Sequence, residues 1–511
     1  MAGKVYLVGA GPGEPGLLTL RGAELLARAD AVLYDYLVNP AVLRHCRPGA
    51  DLISLGTHAS GRVMTQDAIH QRLAELARSC QVVVRLKSGD PMVFARAGEE
   101  LDFLAQRGID FEIVPGVTAA LAAACYAGIP VTHRDAASAV ALVTGQEDEQ
   151  KSESALDYAA LARFPGTLVL YMGVTTVRRW SAALIAAGKA AKTPVAILRR
   201  VSLPNQQRID TTLGEIAAVV ESQKLRPPVV FVIGEVASHG AAWSWFEKRP
   251  LAGQRVLVTR PAHQAEALAA PLAEIGAQIL YQPAIEIRPA ADSQPIEKVI
   301  DHLAEFDWLV FSSSNGVRHF FDKLLSPVGN ALRGVPHRDT RSLGNIKIAA
   351  IGPGTADELA RFHLNADVVP DEFRAEALAE SINREATGQR FLLIRASRGR
   401  EILAEQLAAA GGIVEQIVVY ESTDIEQPDP EIAAQMAAGK IDWTTVTSSA
   451  IARSLVRLFG ESLRKTKLAS ISPITSGTLR EAGLDPAVEA QEYTMAGVVS
   501  AIQAASPNPA R

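Results

Sequence analysis

Short apolar runs recur along the chain, separated by longer Ala- and Leu-rich stretches of helical periodicity. Val5 to Val8, Ala31 to Tyr34 and Val82 to Leu86 have the length and composition of buried strands, and Thr19 to Ala29 reads as a helix between the first two. This alternation predicts an α/β protein throughout. The rhythm breaks at Ala241 to Gln254 (A-A-W-S-W-F-E-K-R-P-L-A-G-Q), after a strand at Val229 to Ile233 and before one at Arg255 to Thr259. A domain boundary is expected there, giving a first domain over 1–242, a mobile connector over 243–252, a second domain over 253–505 and a tail over 506–511.

The second half repeats itself. G-Q-R-V-L-V-T-R from Gly253 returns as G-Q-R-F-L-L-I-R from Gly388, an offset of 388 − 253 = 135. The same offset pairs Gly276 with Gly411, Glu286 with Glu421, Asp307-Trp308 with Asp442-Trp443, and Ser312-Ser313-Ser314 with Thr447-Ser448-Ser449. After a shorter loop, Pro353 and Thr355 pair with Pro473 and Thr475. So long a period predicts two similar α/β lobes with a ligand cleft between them, and the hydroxyls at the strand ends are candidates to face it.

Composition narrows the class. Of 511 residues 48% are hydrophobic and 21% charged, which is globular, and a net charge of −5 offers no global field for nucleic acid. Three cysteines, Cys46, Cys80 and Cys125, without C-x-x-C spacing argue against a disulfide framework and a zinc site. Neither a signal peptide nor an apolar stretch of about 18 residues is present, so no membrane association and a cytoplasmic location are expected.

The first candidate chemistry lies in the loops of the first half. Gly11-Pro12-Gly13-Glu14-Pro15-Gly16 matches G-x-G-x-x-G after a strand, and Asp30 and Asp35 lie about where a ribose-binding acid would stand. By itself this leaves an NAD-dependent dehydrogenase open, although the two prolines remove N–H donors that a pyrophosphate cradle needs. Further loops follow: S-G-D-P-M-V-F (Ser88 to Phe94), A-R-A-G-E-E (Ala95 to Glu100), P-G-V-T-A-A (Pro115 to Ala120), G-I-P-V-T-H-R-D (Gly128 to Asp135) and L-Y-M-G (Leu170 to Gly173). Small residues at strand ends let a flat ligand lie against backbone, and Asp90 can accept hydrogen bonds.

This ordered set resembles the tetrapyrrole methylase family, most closely the uroporphyrinogen-III C-methyltransferases, over roughly residues 3 to 240. The resemblance implies a two-lobed α/β domain, usually a homodimer through this domain, with S-adenosylmethionine in the cleft against Pro12, Ser88, Gly89, Asp90, Val93, Thr118, Ala119 and Met172. It implies methyl transfer to a pyrrole carbon without a metal, with Asp35 of L-Y-D-Y-L as the group that moves a proton and Arg96 and Glu99 of R-A-G-E-E in the catalytic set. Arg134 of T-H-R-D, with Arg85, Lys87 and Arg96, would face the eight carboxylates of the porphyrinogen. Two positions depart from the family pattern: Thr57 stands where it has a lysine, leaving water or His58 as possible substitutes, and Val201 where it has a glycine. Another corrinoid, or RNA, is the alternative substrate.

The repeat, with F-S-S-S-N-G-V, I-A-A-I-G-P-G-T-A, V-V-Y-E-S and the tail E-Y-T-M-A-G-V-V, is similar to uroporphyrinogen-III synthases over about residues 253 to 505. That implies a bilobed α/β domain closing linear hydroxymethylbilane with loss of water. Ser313, Thr355, Ser448 and Thr475 would be its cleft hydroxyls and Tyr420 its catalytic tyrosine, while strand-end capping accounts equally well for each Ser and Thr. Ser472 stands where the first repeat has Gly352. The two resemblances agree with each other, because the product they imply for the second half would be the substrate they imply for the first.

Overall fold

The apolar runs become strands buried on both faces, so that Val5, Leu7, Val8, Val83 and Val84 are wholly inaccessible. The computed structural model describes residues 3–56, 64–147, 155–240, 243–325, 343–344, 346–398 and 401–506. The chain divides into two units, the first running to Gln254 and also taking in Ala273–Gln278, the second comprising Arg255–Leu272 and Ile279–Ala505.

In the first unit, β1 (Lys4–Gly9), β2 (Ala31–Tyr34), β3 (Asp51–Ser54), β4 (Val82–Lys87) and β5 (Phe111–Val114) form a parallel sheet in the order β3-β2-β4-β1-β5. A second sheet joins β6 (Val140–Thr144), β7 (Thr167–Tyr171), β8 (Pro194–Arg199), β9 (Gln207–Thr212) and β10 (Val229–Ile233) in the order β6-β7-β10-β8-β9. Only its β6–β7 pair is parallel. The carboxyl ends of β1, β4 and β5 stand side by side, the usual place for a ligand crevice in a parallel sheet.

The second unit holds two more sheets, and they correct the simplest reading of the repeat. One sheet has the order β12-β11-β18-β19-β20, from β11 (Arg255–Val258), β12 (Gln278–Tyr281), β18 (Trp443–Val446), β19 (Lys467–Ser470) and β20 (Val488–Glu489). The other has the order β13-β17-β16-β14-β15, from β13 (Ile285–Pro289), β14 (Trp308–Phe311), β15 (Lys347–Ala350), β16 (Arg390–Ala396) and β17 (Ile413–Asp424). Each lobe therefore draws two neighbouring strands from one repeat and the next two from the other. β11 and β12 of the first repeat continue into β18 and β19 of the second, while β16 and β17 continue into β14 and β15. The exchange has a physical route. Past Gln282-Pro283-Ala284 the chain of the first repeat crosses over as β13 and pairs antiparallel with the far end of β17, Ile285 opposite Asp424 and Pro289 opposite Tyr420. Two antiparallel strands thus carry both crossings, and each lobe is completed by the other repeat.

The segment expected to be a mobile connector is packed where it is described. Phe246 is 2% exposed and Leu251 wholly buried. The Phe246 ring meets the edge of Tyr126 at 4.8 Å and lies under the Arg249 guanidinium at 3.7 Å, and Trp245 Nε1 donates to the Cys125 carbonyl at 3.0 Å. Gln206 Nε2 donates to Glu247 at 2.6 Å. Residues 243–252 therefore work as an anchor against the first unit, and the boundary for separating the halves is better drawn after Gln254. Phe246→Ala should destabilise the first unit by about 3–5 kcal/mol in chemical denaturation, the usual loss on emptying a buried aromatic site. A change below about 1 kcal/mol would return the segment to a free connector.

Candidate active sites

Three loops close on one another at the head of the first parallel sheet. Gly11 and Gly89 exchange backbone hydrogen bonds, N–H to O at 3.2 and 2.7 Å. A Cβ on Gly116 would lie 2.2 Å from the Gly89 carbonyl oxygen, and one on Gly9 would lie 2.5 Å from the Gly116 Cα. Asp90 fixes the arrangement: its carboxylate accepts from Met92 N–H at 2.8 Å and Gly116 N–H at 3.0 Å. One lone pair of each oxygen is committed to the loops, and the others remain available to a ligand.

The second sheet supplies the opposite wall. Tyr171, at the end of β7, places its hydroxyl 2.7 Å from Thr118 Oγ1 and accepts from Ala120 N–H at 2.8 Å, so it caps the helix Ala119–Ala127 from across the cleft. Burial pushes its phenol pKa up. The L-Y-M-G motif directed attention to Met172 and missed Tyr171, whose shared hydrogen bonds have no sequence signature. Phe94 tilts against Tyr171 at 5.0 Å, and Met172 is 45% exposed beside it. Ser202 Oγ accepts from Glu14 N–H at 3.0 Å, joining the Pro12 loop to the second sheet. Val93, Ser88, Ala119 and Pro12 are all partly exposed around this opening. Backbone N–H groups, small residues and exposed apolar Phe94 and Met172 fit a cofactor with an adenine face and polar tail.

The same geometry disposes of the dinucleotide reading. The helix after the glycine loop begins at Leu20, and only a single 3₁₀ turn, Pro15–Leu17, follows Gly13. No long helix presents its N-terminus to a pyrophosphate there. Asp30 spends its carboxylate on Gln81 and Val82 N–H, both at 2.8 Å, and on Arg47; the backbone bonds hold its pKa down.

The expected basic wall also needs correction. Arg85 and Lys87 are each 2% exposed, and both point at Glu100, itself fully buried, at 3.1 and 2.8 Å. Arg85 Nη2 reaches Asp35 at 2.6 Å. Burial and the neighbouring Arg85 pull the Lys87 pKa down. Strand alternation alone gives Arg85 and Lys87 one face of β4, but only the structure shows that this face turns inward. They neutralise carboxylates, and Asp35 is left as the partly exposed end of the network, its side chain 26% accessible. Arg96 and Glu99 are exposed and form a two-pronged pair with each other at 2.7 and 2.6 Å. Arg134 is exposed, with no ion pair among the described residues. Thr57 and His58 lie outside the described residues. Val201 is buried in the core between the helix Ala119–Ala127 and the second sheet.

In the second unit, Tyr420 is 6% exposed and its hydroxyl lies 3.0 Å from Ser313 Oγ. Burial raises its pKa, and the His319 ring stacks on it at 5.6 Å. Tyr420, Ser312 and Arg395 border a cavity of about 220 Å³ at the head of the β14–β16 sheet. Ser313 and Ser448 are equivalent helix N-caps, accepting from Gly316 N–H at 3.0 Å and Ile451 N–H at 3.2 Å. The capping role anticipated for them is present, and it also fixes where the hydroxyls stand. Thr355 and Thr475 are 5% and 2% exposed in the first turns of equivalent helices, and Ser472 Oγ lies 3.2 Å from Thr475 Oγ1. Gly352 has extended backbone, so the serine at its counterpart costs nothing. Among the described residues no helix is long and apolar enough to cross a membrane, and no group of three or more metal-ligating side chains occurs.

Comparison with known proteins finds a family for each half. Residues 4–217 match the family described as Tetrapyrrole (Corrin/Porphyrin) Methylases, and residues 266–500 match Uroporphyrinogen-III synthase HemD. The Porphyrin biosynthesis protein HemD of Ruminiclostridium josui is 33% identical over 476 residues, covering 93% of this chain and 92% of that protein. The S-adenosyl-L-methionine-dependent uroporphyrinogen III methyltransferase of Methanosarcina barkeri is 45% identical over 46% of this chain and 92% of its own length. A Thermus thermophilus uroporphyrin-III C-methyl transferase structure, complexed with S-adenyl homocysteine, aligns over 46% of this chain and 99% of its own at 41% identity and a TM-score of 0.40. The chain belongs to the tetrapyrrole methylases through its first half and to the uroporphyrinogen-III synthases through its second, and is a bifunctional enzyme of tetrapyrrole biosynthesis.

Glu100→Gln should cost about 3–5 kcal/mol in denaturant unfolding, because it leaves two buried cations facing a neutral amide. A loss below about 1 kcal/mol would mean that the network does not hold the loops.

Proposed function

We propose that the second half closes hydroxymethylbilane to uroporphyrinogen III with loss of water, and that the first half transfers two methyl groups to that product, giving precorrin-2. The observation that carries the reading is one chain whose residues 4–217 match the tetrapyrrole methylases and whose residues 266–500 match the uroporphyrinogen-III synthases. The first unit is the expected place for a homodimer contact.

In the methyltransferase half, S-adenosylmethionine would supply an electrophilic methyl on sulfur. The protein's part is alignment and proton removal. The Gly89 turn, braced by Asp90, and the Thr118–Ala119 segment, held by Tyr171, form the cofactor wall. Pro12, Ser88, Val93 and Met172 border it. Asp35 takes the proton released when the new carbon–carbon bond forms, and Arg85 fixes the orientation of its carboxylate. Arg96 and Arg134 lie on the exposed side and meet the porphyrinogen carboxylates, with Arg96 exchanging Glu99 for substrate and Glu99 holding Arg96 in place until then.

In the synthase half, the electron-rich pyrrole expels its own hydroxyl, and the Tyr420 phenol donates to that departing oxygen while Ser313 orients the phenol. Ser448, Thr355 and Thr475 offer further hydroxyls to the folded chain. No metal is proposed for either step, since the methyl donor and the pyrrole already carry the required reactivity.

Asp35→Asn should lower single-turnover methyl transfer by about 10²-fold with cofactor affinity unchanged, the loss expected on removing a proton-transfer group. An unchanged rate would remove Asp35 from the chemistry. Tyr420→Phe should move the cyclised product from the type III toward the type I isomer, which forms unaided from escaped substrate, while methylation of ready-made uroporphyrinogen III continues at the parental rate. Because burial raises the phenol pKa, the donor form persists at least up to the ordinary tyrosine value of about 10, so the parental isomer ratio should stay flat from neutral pH to that point. A parental ratio in the variant, read chromatographically at limiting enzyme, would clear Tyr420.

A further inference from the structure

Arg260 lies two residues beyond β11, at the head of the β11–β18 sheet. All three of its hydrogen bonds go to neutral groups: Nε to the Gln264 carbonyl at 3.3 Å, Nη2 to Gln264 Oε1 at 2.8 Å and Nη1 to the Met495 thioether sulfur at 3.3 Å. Among the described residues no carboxylate lies within ion-pairing distance of it. The side chain is partly buried, and burial pushes its pKa down from the ordinary arginine value.

The repeat supplies an internal control. Arg395, 135 positions on, lies near the end of β16, the counterpart of β11, and it is neutralised by Glu401 at 2.5 Å with Gln416 at 2.6 Å. Glu266 is the counterpart of Glu401, since 401 − 135 = 266, yet it does not reach Arg260. One lobe has a satisfied arginine; the other keeps its arginine unpaired. A partly buried cation without an anion is costly, and such a cost is recovered when a ligand brings the anion.

The position is also the right one. Gln264 Nε2 donates to Asn315 Oδ1 at 2.6 Å, and Asn315 is in the first turn of the helix Ser314–Leu324 on the other lobe. That helix is capped by Ser313, the partner of Tyr420. Arg260 therefore stands on the seam between the lobes, two hydrogen-bonded side chains from the helix that carries the tyrosine's partner. The thioether is a weak acceptor and leaves the Nη1 edge open to exchange. Building on the synthase reading above, we propose that Arg260 anchors one acetate or propionate carboxylate of the linear tetrapyrrole, displacing Met495 from its Nη1 edge.

The test uses the full chain with hydroxymethylbilane as substrate. Arg260→Met should raise KM by at least about tenfold, as for losing a hydrogen bond to a charged group, with kcat within about twofold. Arg260→Lys should recover part of that loss. The parental KM should rise with salt from roughly 0.05 to 0.5 M more steeply than that of Arg260→Met. Methylation of ready-made uroporphyrinogen III in the same preparations reports folding of the first unit, and thermal unfolding reports that of the second. An active parent with an unchanged KM in Arg260→Met, or a fall in kcat and thermal stability at constant KM, would overturn the anchor. Should Arg260→Met fail to fold, a parental KM indifferent to salt and an Arg260→Lys variant with parental KM would overturn it as well. A parent that does not convert hydroxymethylbilane overturns the synthase reading, and this proposal with it.

Discussion

Backbone meets backbone at the heads of β1, β4 and β5, where a side chain on Gly9 or Gly116 would have to sit 2.2–2.7 Å from atoms of its neighbours. That close approach lets Gly89 pair with Gly11 and lets one carboxylate, Asp90, brace two loops at once. Every other element of the first site is placed by reference to it. Thr118 follows the Gly116 loop directly and brings Tyr171 of the second sheet within 2.7 Å. Arg85 and Lys87 end the strand that delivers Gly89, and their charges are met from beneath by Glu100. The glycines thus set a backbone surface, and the buried ions keep the strand below it in register.

The second unit reaches a comparable result by exchange. Because β13 and the far half of β17 pair antiparallel, each lobe is finished by strands from the other repeat, and neither repeat closes its own sheet. Tyr420 sits on this crossing, opposite Pro289. Its place in the chain is therefore fixed by the ribbon joining the lobes, while its hydroxyl partner Ser313 comes from the head of β14.

Much of this was legible in the residues. The apolar runs marked the strands, the 135-residue offset found the two equivalent lobes, and the ordered loop motifs found both families. The exchange of strands was not legible, because an offset records which segments are alike and says nothing about which of them pair. Nor was the fate of Arg85 and Lys87: two cations at alternate positions look solvated until an acid from the helix Ala97–Gln106 is seen beneath them. For Ser313 and Ser448 the structure shows the helix capping that the sequence also allowed. Residues 243–252 misled for a simpler reason. Their mixed Trp, Phe, Lys and Pro composition breaks the α/β rhythm, and an anchor without regular structure breaks it as thoroughly as a linker does.

The central claim is that one chain carries out consecutive steps, cyclisation and then methylation, at two separate sites. Incubating the full chain with hydroxymethylbilane and S-adenosylmethionine, and determining product mass and isomer together, tests it most directly. The account predicts a type III macrocycle heavier by two methyl groups, with unmethylated type III accumulating when the methyl donor is withheld. Type I product alone, with or without methyl groups, would contradict it.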